Sequence, residues 1–530
     1  MMWFGRERRT PLWGAALVYL DPMVLRTLFL LPFLLVPGLP TAFGQLGIVW
    51  EAPPSTHAAL ADLVEMRVLG FRAVRTGPVT DSRILAAADS MGMVLYRDIG
   101  FERLMPGAWA DTLQAATARV DAIAASPYAG WIGLGSWTAT NLPATCATIE
   151  ALAQRVRDAG HKAYYVTPFM RRDRCSHVVD AVLVDQQDHA DPDVERADMV
   201  TVGLEVGPGG DMERHRAEFT SRILALSRER VVFIHRWRDQ PMRDPWMKRY
   251  GLYDEAGNPR PMVAMLREAH LTGQPVFARQ VREDTPSATW SVLVGWLLIA
   301  CLAMLHATSP RFRQMIPRYF LAHGFYRNAV REAREVLPLT STALISIVGL
   351  SAGLMVAVVL HGLHDRAIGT FVYGHLPDGA MVAASALMRA PIVLVVLSGS
   401  VILLAMAVWM SMWVLAVGRQ QRLLASQALM LAVWPRWQAV ALLPVAMVLG
   451  PPGLTGTWTL AAAAVLFVAT LLWSVVRTAS DMMRVARVPR PIAVLLVLVN
   501  PEVMFVMVIL TLATINSSYA RMVWDLLSRN

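Results

Sequence analysis

Cysteine and charge are both scarce in this sequence. Three cysteines in 530 residues are too few for a disulfide-stapled scaffold. Charged residues make up 17%, where soluble chains average about 25%. Apolar residues reach 55% and the mean hydropathy is +0.42. Chemistry-bearing motifs are scarce as well. No Gly-x-Gly-x-x-Gly follows the first predicted strand, which argues against a dinucleotide site. There is no Walker motif, no His-Glu-x-x-His and no repeated transporter half. No cofactor and no metal ion are therefore expected. The net charge of +9 would suit nucleic acid, but the arginines lie in loops beside apolar runs. That distribution is the signature of membrane topology, and no nucleic-acid partner is expected.

The shortage of charge is uneven. Residues 45–285 carry charges throughout, as a water-soluble domain does, whereas residues 286–530 alternate long apolar runs with short basic loops. A spanning helix needs about 20 mostly apolar residues. Six runs approach that length: Thr289–Ala307, Leu339–Leu363, Pro391–Val417, Ala428–Leu449, Trp458–Val476 and Pro491–Ile515. The fourth is interrupted by Pro435, Arg436 and Pro444. A seventh run, Thr27–Phe43, precedes the polar region and reads as an anchor or a cleaved signal peptide, with Arg6, Arg8 and Arg9 as its basic flank. Arginines recur in alternate loops: Arg311–Arg334, then Arg419 and Arg422, then Arg477–Arg490. The other loops, such as Gly450–Thr457, are poor in charge. Positive residues collect in the cytoplasm, so the expectation is an inner-membrane protein with its N-terminus inside and residues 45–285 outside.

The predicted division has five parts. Residues 1–44 form a cytoplasmic N-terminus and signal-anchor, and 45–285 an extracytoplasmic domain. Residues 286–307 form a transmembrane helix, 308–338 a cytoplasmic basic amphipathic segment, and 339–530 a five-segment transmembrane domain. In the polar region, β-rich runs alternate with helical ones. The strand-like runs are Gln45–Trp50, Phe71–Thr76, Met93–Ile99, Gly130–Gly135, Lys162–Thr167, Ala181–Asp185, Met199–Leu204 and Val231–Trp237. Helical patterns such as Ala108–Ala125 and Thr145–Ala159 separate them. Eight such alternations predict a parallel (β/α)₈ barrel of the TIM type, with an open doubly wound sheet as the alternative. The fold class is thus an α/β barrel joined to an all-α polytopic membrane bundle. Cys146 and Cys175 both follow predicted strands; a disulfide and two buried thiols both remain open.

Barrel chemistry gathers at the C-terminal ends of strands. Those ends carry Glu51, Arg75, Asp98, Trp137, Asp185 with Asp188, Glu205, and Trp237 with Asp239. Aromatic faces stack on sugar rings, while carboxylates and an arginine bond hydroxyls. A solvated rim whose tryptophans merely pack is the other reading.

The order of these residues resembles the barrel of glycoside hydrolase family 2, the β-galactosidase and β-glucuronidase type. GFRAVRTGPVTDSRILAAADSMGMVLYRDIG (Gly70–Gly100) is similar to that family's second and third strands, with Arg75 at the arginine beneath the sugar. SPYAGWIGLGSW (Ser126–Trp137) is similar to its fourth-strand segment, and VGLEVGPGG (Val202–Gly210) to the seventh. VVFIHRWRDQP with YGLYDEAGNPRPMVAMLREA resembles the last strand and closing helix. The resemblance implies Glu205 as a catalytic nucleophile. It implies substrate binding by Arg75, Asp98, Trp137, Asp185, Asp188, Trp237 and Asp239. Where the family pattern ends Gly-Asn-Glu, this chain has Ser136 and Trp137, so the acid/base carboxyl is replaced by an indole. The expected function is a membrane-anchored carbohydrate-recognising protein with impaired or lost catalysis, a pseudoenzyme of the cell envelope. An active retaining glycosidase or transglycosylase using Glu205 is the second reading. A third makes the chain a membrane component of an envelope export or assembly complex, with the barrel as docking module. Expected partners are a carbohydrate or glycoconjugate, the lipid bilayer and other membrane proteins.

In the apolar half, GRQQRLLASQALMLAVWPRWQAVALLPVAMVL (Gly418–Leu449) resembles a Yip-type membrane domain. RFRQMIPRYFLAHGFYRNAVREARE predicts an interfacial helix with Ile316, Phe320, His323 and Tyr326 toward one side. Asn500-Pro501-Glu502 interrupts the last apolar run. It reads as an intramembrane functional carboxyl, or as a proline kink with Glu502 paired to an arginine of another helix.

Overall fold

The computed structural model describes residues 45–100, 109–128, 130–186, 196–203, 230–240, 245–247, 249–272, 289–334, 337–364, 367–421, 424–436, 440, 443–449, 457–515 and 517–527. Among these residues eight parallel strands close a barrel in sequence order. They are β1 Gln45–Trp50, β2 Ala73–Thr76, β3 Val94–Asp98, β4 Trp131–Gly133, β5 Lys162–Thr167, β6 Ala181–Gln186, β7 Met199–Gly203 and β8 Val231–His235. β8 pairs with β1, and that closing pair rules out the open sheet.

Strand periodicity decides what faces where, because successive side chains point to opposite faces. Leu46, Ile48 and Trp50 face outward and pack beneath α1 (Thr56–Val68), α2 (Ser82–Ser90) and α5 (Pro261–Thr272). On the other flank Ile132, Ala163, Tyr165 and Val182 pack against α3 (Trp109–Ala124) and α4 (Pro143–Asp158). The alternate residues fill the interior: Tyr96, Tyr164, Val166, Leu183, Met199 and Phe233. There Trp131 stacks on Tyr96 with ring centroids 5.5 Å apart, and Phe233 meets Tyr96 edge-on at 5.0 Å. Local signals set the helix starts. Asp81 caps α2 by accepting from the Arg83 amide at 2.9 Å, and Pro143 opens α4 where no amide donor is needed. Cys146 on α4 is disulfide-bonded to Cys175, with Cα atoms 5.0 Å apart, which settles the cysteine question.

The remainder is helical. Three described helices are long and apolar enough to cross a membrane. They lie in α6 (Thr289–Thr308), α9 (Pro338–His364) and α12 (Pro391–Gln421). α9 and α12 approach through small residues: a Cβ added at Gly353 would lie 2.5 Å from the Val395 carbonyl oxygen and 2.7 Å from the Gly399 nitrogen. Close backbone approach of this kind is how helices pack where the surroundings are themselves apolar. Thr27–Phe43 lies outside the described residues.

The segment expected as one interfacial helix is two, α7 (Pro310–Leu321) and α8 (His323–Arg331), broken at Ala322. Its buried residues are Phe312, Met315, Tyr319, Tyr326 and Val330, which pack into the bundle core with Trp434. Phe320, expected on the apolar side, is exposed. The break at Ala322 rotates the second helix relative to a continuous 3.6-residue period. α8 is tied to α15 (Thr457–Val485) by Asp481, which accepts from His323 Nε2 and Arg327 Nε, each at 2.7 Å.

Short helices join the spans. α10 (Ala367–Tyr373) and α11 (Asp378–Arg389) lie between α9 and α12. The interrupted fourth run is two short helices, α13 (Ala425–Val433) and α14 (Leu443–Leu449). The last run is bent by 62° between α16 (Arg490–Leu498) and α17 (Pro501–Ile515), and α18 (Ser517–Leu527) follows. At the bend Asn500 Oδ1 accepts from the Glu502 amide at 2.9 Å, and Glu502 Oε1 accepts from Arg436 Nε at 2.8 Å. The Asn-Pro-Glu run is thus a kink with a paired carboxylate.

Candidate functional site

Register builds the mouth of the barrel. Asp98 on β3 lies beside Gly133 on β4, and Gly133 beside Tyr164 on β5. Because the middle residue lacks a side chain, the Tyr164 hydroxyl reaches across β4 and donates to Asp98 Oδ1 at 2.5 Å. From the other side Arg75 on β2 donates to Asp98 Oδ2 through Nε at 3.0 Å and Nη2 at 2.7 Å. Arg75 Nη1 also reaches the Thr201 hydroxyl on β7 at 3.5 Å. Burial opposes the charge on Arg75 most. The Asp98, Tyr164 and Asp185 groups outweigh it, so the guanidinium pKa lies above the usual arginine value. Burial, and then the Asp98 carboxylate, hold the Tyr164 phenol well above its ordinary range. Arg75 is therefore a fixed cation and Tyr164 a fixed donor. Asp98, with three donors on its two oxygens, is committed to them.

β4 leaves the barrel through Gly135 and Ser136 to Trp137, whose backbone is left-handed at φ 55°. For a bulky residue that conformation costs on the order of 1–3 kcal/mol and persists only where neighbours impose it. Two contacts do so. The indole Nε1 donates to Asp185 Oδ2 on β6 at 3.1 Å, and the following Thr138 amide donates to the Val166 carbonyl at 3.1 Å.

Glu51, Arg75, Asp98, Trp137 and Asp185 line one cavity of about 440 Å³ at the C-terminal ends of the strands. His235, the last residue of β8, and Arg236, joined to it by a cis peptide bond, line it too. Two expected site residues are placed elsewhere. Trp237 is buried with Leu252 and Met262 between the barrel and α5, its ring 4.6 Å from that of Tyr253. Asp239 pairs with Arg260 and accepts from the Gly251 amide at 2.7 Å, pinning the closing segment to the end of β8. Neither is among the residues lining the cavity. Glu205 and Asp188 lie outside the described residues.

Tyr164, Thr201, His235 and Thr370 also contribute to the site. Tyr164 was legible in principle, since it sits on a predicted strand in register with Asp98. Thr201 and His235 share the inward parity of their strands. Thr370 belongs to α10 in the helical half, yet it lines the same cavity, and nothing in the order of residues points to it.

No family model matches the sequence, and no curated protein matches it. Solved glycosidases are similar in structure. A family 2 β-galacturonidase from Eisenbergiella tayi has 13% identity and a TM-score of 0.37, covering 44% of this chain and 51% of its own. A β-D-glucuronidase from Dictyoglomus thermophilum has 14% identity and a TM-score of 0.36, covering 45% and 52%. A Parabacteroides merdae β-glucuronidase has 12% identity and a TM-score of 0.36, covering 42% and 36%. The first two are thus matched over about half of their length.

Proposed function

We propose that the chain is a membrane-embedded carbohydrate receptor whose extracytoplasmic barrel binds a sugar without hydrolysing natural glycosides. The observation that carries this reading is the convergence of Arg75, Asp98, Trp137 and Asp185 on one cavity at the strand ends. A guanidinium and carboxylates fixed by hydrogen bonds suit a ring of hydroxyls, and an indole offers a face to the sugar ring. The cavity's 440 Å³ falls within the range of small-ligand sites, about 300–1,000 Å³. Weak turnover follows from Trp137, which stands where the family resemblance calls for an acid/base carboxyl. General acid assistance contributes about 10²–10⁴-fold, and an indole gives none of it to a departing alkoxide. Asp98 is a poor substitute because three donors already hold it. The extracytoplasmic placement draws support from the arginine alternation and from the Cys146–Cys175 disulfide, a bond that persists in oxidising compartments.

The test uses the full chain in lipid nanodiscs against a panel of glycosides, with binding and product formation measured together. Binding should fall about tenfold or more in Arg75→Met and Asp185→Asn, since a hydrogen bond to a charged group is worth about 1.5–3 kcal/mol. Turnover should be confined to nitrophenyl glycosides, whose leaving group needs no proton. The second reading, a retaining glycosidase with Glu205 as nucleophile, rests on the resemblance of Val202–Gly210. Vigorous cleavage of an unactivated disaccharide, abolished by Glu205→Gln, would establish it and displace the receptor.

A further inference from the structure

The mouth of the barrel does not open to bulk solvent on all sides; the helical half forms part of its rim. Thr370 of α10, buried to 2% exposure, lines the cavity together with Arg75, Trp137 and Asp185. Around it α10 is seated on the barrel. Ile368 and Phe371 pack with Ala139, Leu142 and Phe169, the segments after β4 and β5, and Met522 of α18 joins them, with Trp137 partly buried against the group. Polar contacts flank this apolar seat. Asp525 of α18 accepts from Asn141 Nδ2 at 2.6 Å and is ion-paired with Arg172. Trp246, beyond β8, lies with its ring centroid 4.5 Å from that of His364 and 4.8 Å from that of Tyr373.

The position of α10 along the chain fixes what lies beside that rim. α9 is a span-length apolar helix that ends at His364, and α12, another, begins at Pro391. α10 and α11 connect these two span-length helices, and if both cross the bilayer the two short helices lie at one membrane face. A barrel seated on α10 has its strand C-termini, and its cavity, directed at that face. Val372 and Val382 on the same connection are 48% and 45% exposed, apolar surface suited to the headgroup boundary.

We propose that the ligand of this cavity is a saccharide attached to a membrane lipid, presented from the bilayer alongside α10. The inference rests on the carbohydrate reading above and adds the source of the sugar. With Thr370 of α10 on its rim, the cavity stands beside the end of the span-length apolar helix α9, at the height of the lipid headgroups. A glycolipid headgroup already stands at that height, with its acyl chains in the membrane.

The test places the full chain in phosphatidylethanolamine–phosphatidylglycerol nanodiscs doped with glucosyl-, galactosyl- or glucuronosyl-diacylglycerol. Lipid retained on the protein is read by native mass spectrometry, with the matching methyl glycosides as soluble competitors. The expected result is selective retention of one glycosyl-diacylglycerol over phosphatidylglycerol. That retention should fall about tenfold in Thr370→Trp, which fills the rim from the bundle side, and in Arg75→Met, which empties the floor. Thr370→Ser should retain it, and a thermal midpoint unchanged in Thr370→Trp separates a blocked rim from a misfolded one. If methyl glycosides bind in an Arg75-dependent way while glycolipid is retained no better than phosphatidylglycerol, the lipid-linked source is wrong and the carbohydrate receptor stands. Retention indifferent to Thr370→Trp and Arg75→Met would place the lipid elsewhere and also overturn the proposal. If neither glycolipid nor glycoside binds, both readings fall.

Discussion

A methyl group added at Gly133 would come 2.8 Å from Tyr164 Cζ and overlap the Asp98 carboxylate. Gly133→Ala should therefore part Tyr164 from Asp98 and weaken sugar binding as strongly as Arg75→Met does. Tyr164→Phe is the gentler probe, keeping the ring and deleting the donor. Losing one hydrogen bond to a half-buried carboxylate costs about 1 kcal/mol, to be read as a lower thermal midpoint in detergent. A different residue, Asp81, contributes to acid sensitivity at the surface. Hydrogen bonds from Arg83, then from Thr56, lower the Asp81 carboxyl from 3.8 to about 2. A depressed folded-state pKa contributes stability that is present above the unfolded value and lost as pH falls through the folded one. Between about pH 4 and pH 2 the wild-type protein should lose a stabilisation that Asp81→Asn never has. Melting curves of the two proteins across that window should converge toward the acid end; parallel curves would remove Asp81 from the account.

At the scale of elements, the bend between α16 and α17 joins backbone and charge in one device. Pro501 has no amide hydrogen to donate, so the helix breaks, and Asn500 takes up the Glu502 amide. The carboxylate that follows meets Arg436, whose guanidinium also donates to the Ala432 carbonyl and stacks over Trp409 with its carbon 4.9 Å from the ring centroid. Removing one partner of a buried pair leaves a charge without compensation, whereas replacing both with apolar residues is often nearly neutral. Glu502→Leu and Arg436→Leu should each be destabilising. The double variant should recover most of the loss, as measured by thermal melting in detergent. Additive losses in the cycle would mean that the two groups do not act as a pair.

For the whole molecule, the side of the membrane and the state of the cysteines are one question. A barrel folded outside the cytoplasm keeps Cys146 and Cys175 bonded, leaving Cys301 as the free thiol. In a Cys301→Ser background, a maleimide–polyethylene glycol reagent should leave the protein unshifted on a gel. After reduction and denaturation it should add two tags. Two tags without reduction would indicate a reducing compartment and invert the proposed topology. The bond closes a loop of 29 residues, a size for which its removal costs about 2–4 kcal/mol. Cys146→Ser should therefore also lower the melting point.

Alternation of β-rich and helical runs predicts all eight strands, two of them to the residue, because strand and helix leave different hydrophobic periods in the chain. The arginine at 75 and the carboxylates at 98 and 185 were legible for the same reason: a residue at the C-terminal end of a barrel strand is at the mouth wherever the barrel closes. Trp237 and Asp239 share that address in the sequence and not in space. Once β8 ends at His235, no pleat dictates direction, and packing against Tyr253 and pairing with Arg260 decide where they go. The segment 308–338 showed an apolar periodicity, but a break at Ala322 and burial against Trp434 chose which face it buries. Thr370 carried no signal at all. Its place in the cavity depends on how a helix between two spans docks on a barrel formed more than a hundred residues earlier, a contact set by complementary surfaces rather than by local pattern. The sequence by itself determined the barrel, three of the apolar spans and the inward residues of each strand, since these follow from periods of two and 3.6 and from hydrophobic length. Tertiary structure alone decided which strand-end residues share the cavity and what closes over it, because those outcomes depend on register between strands and on packing between distant elements.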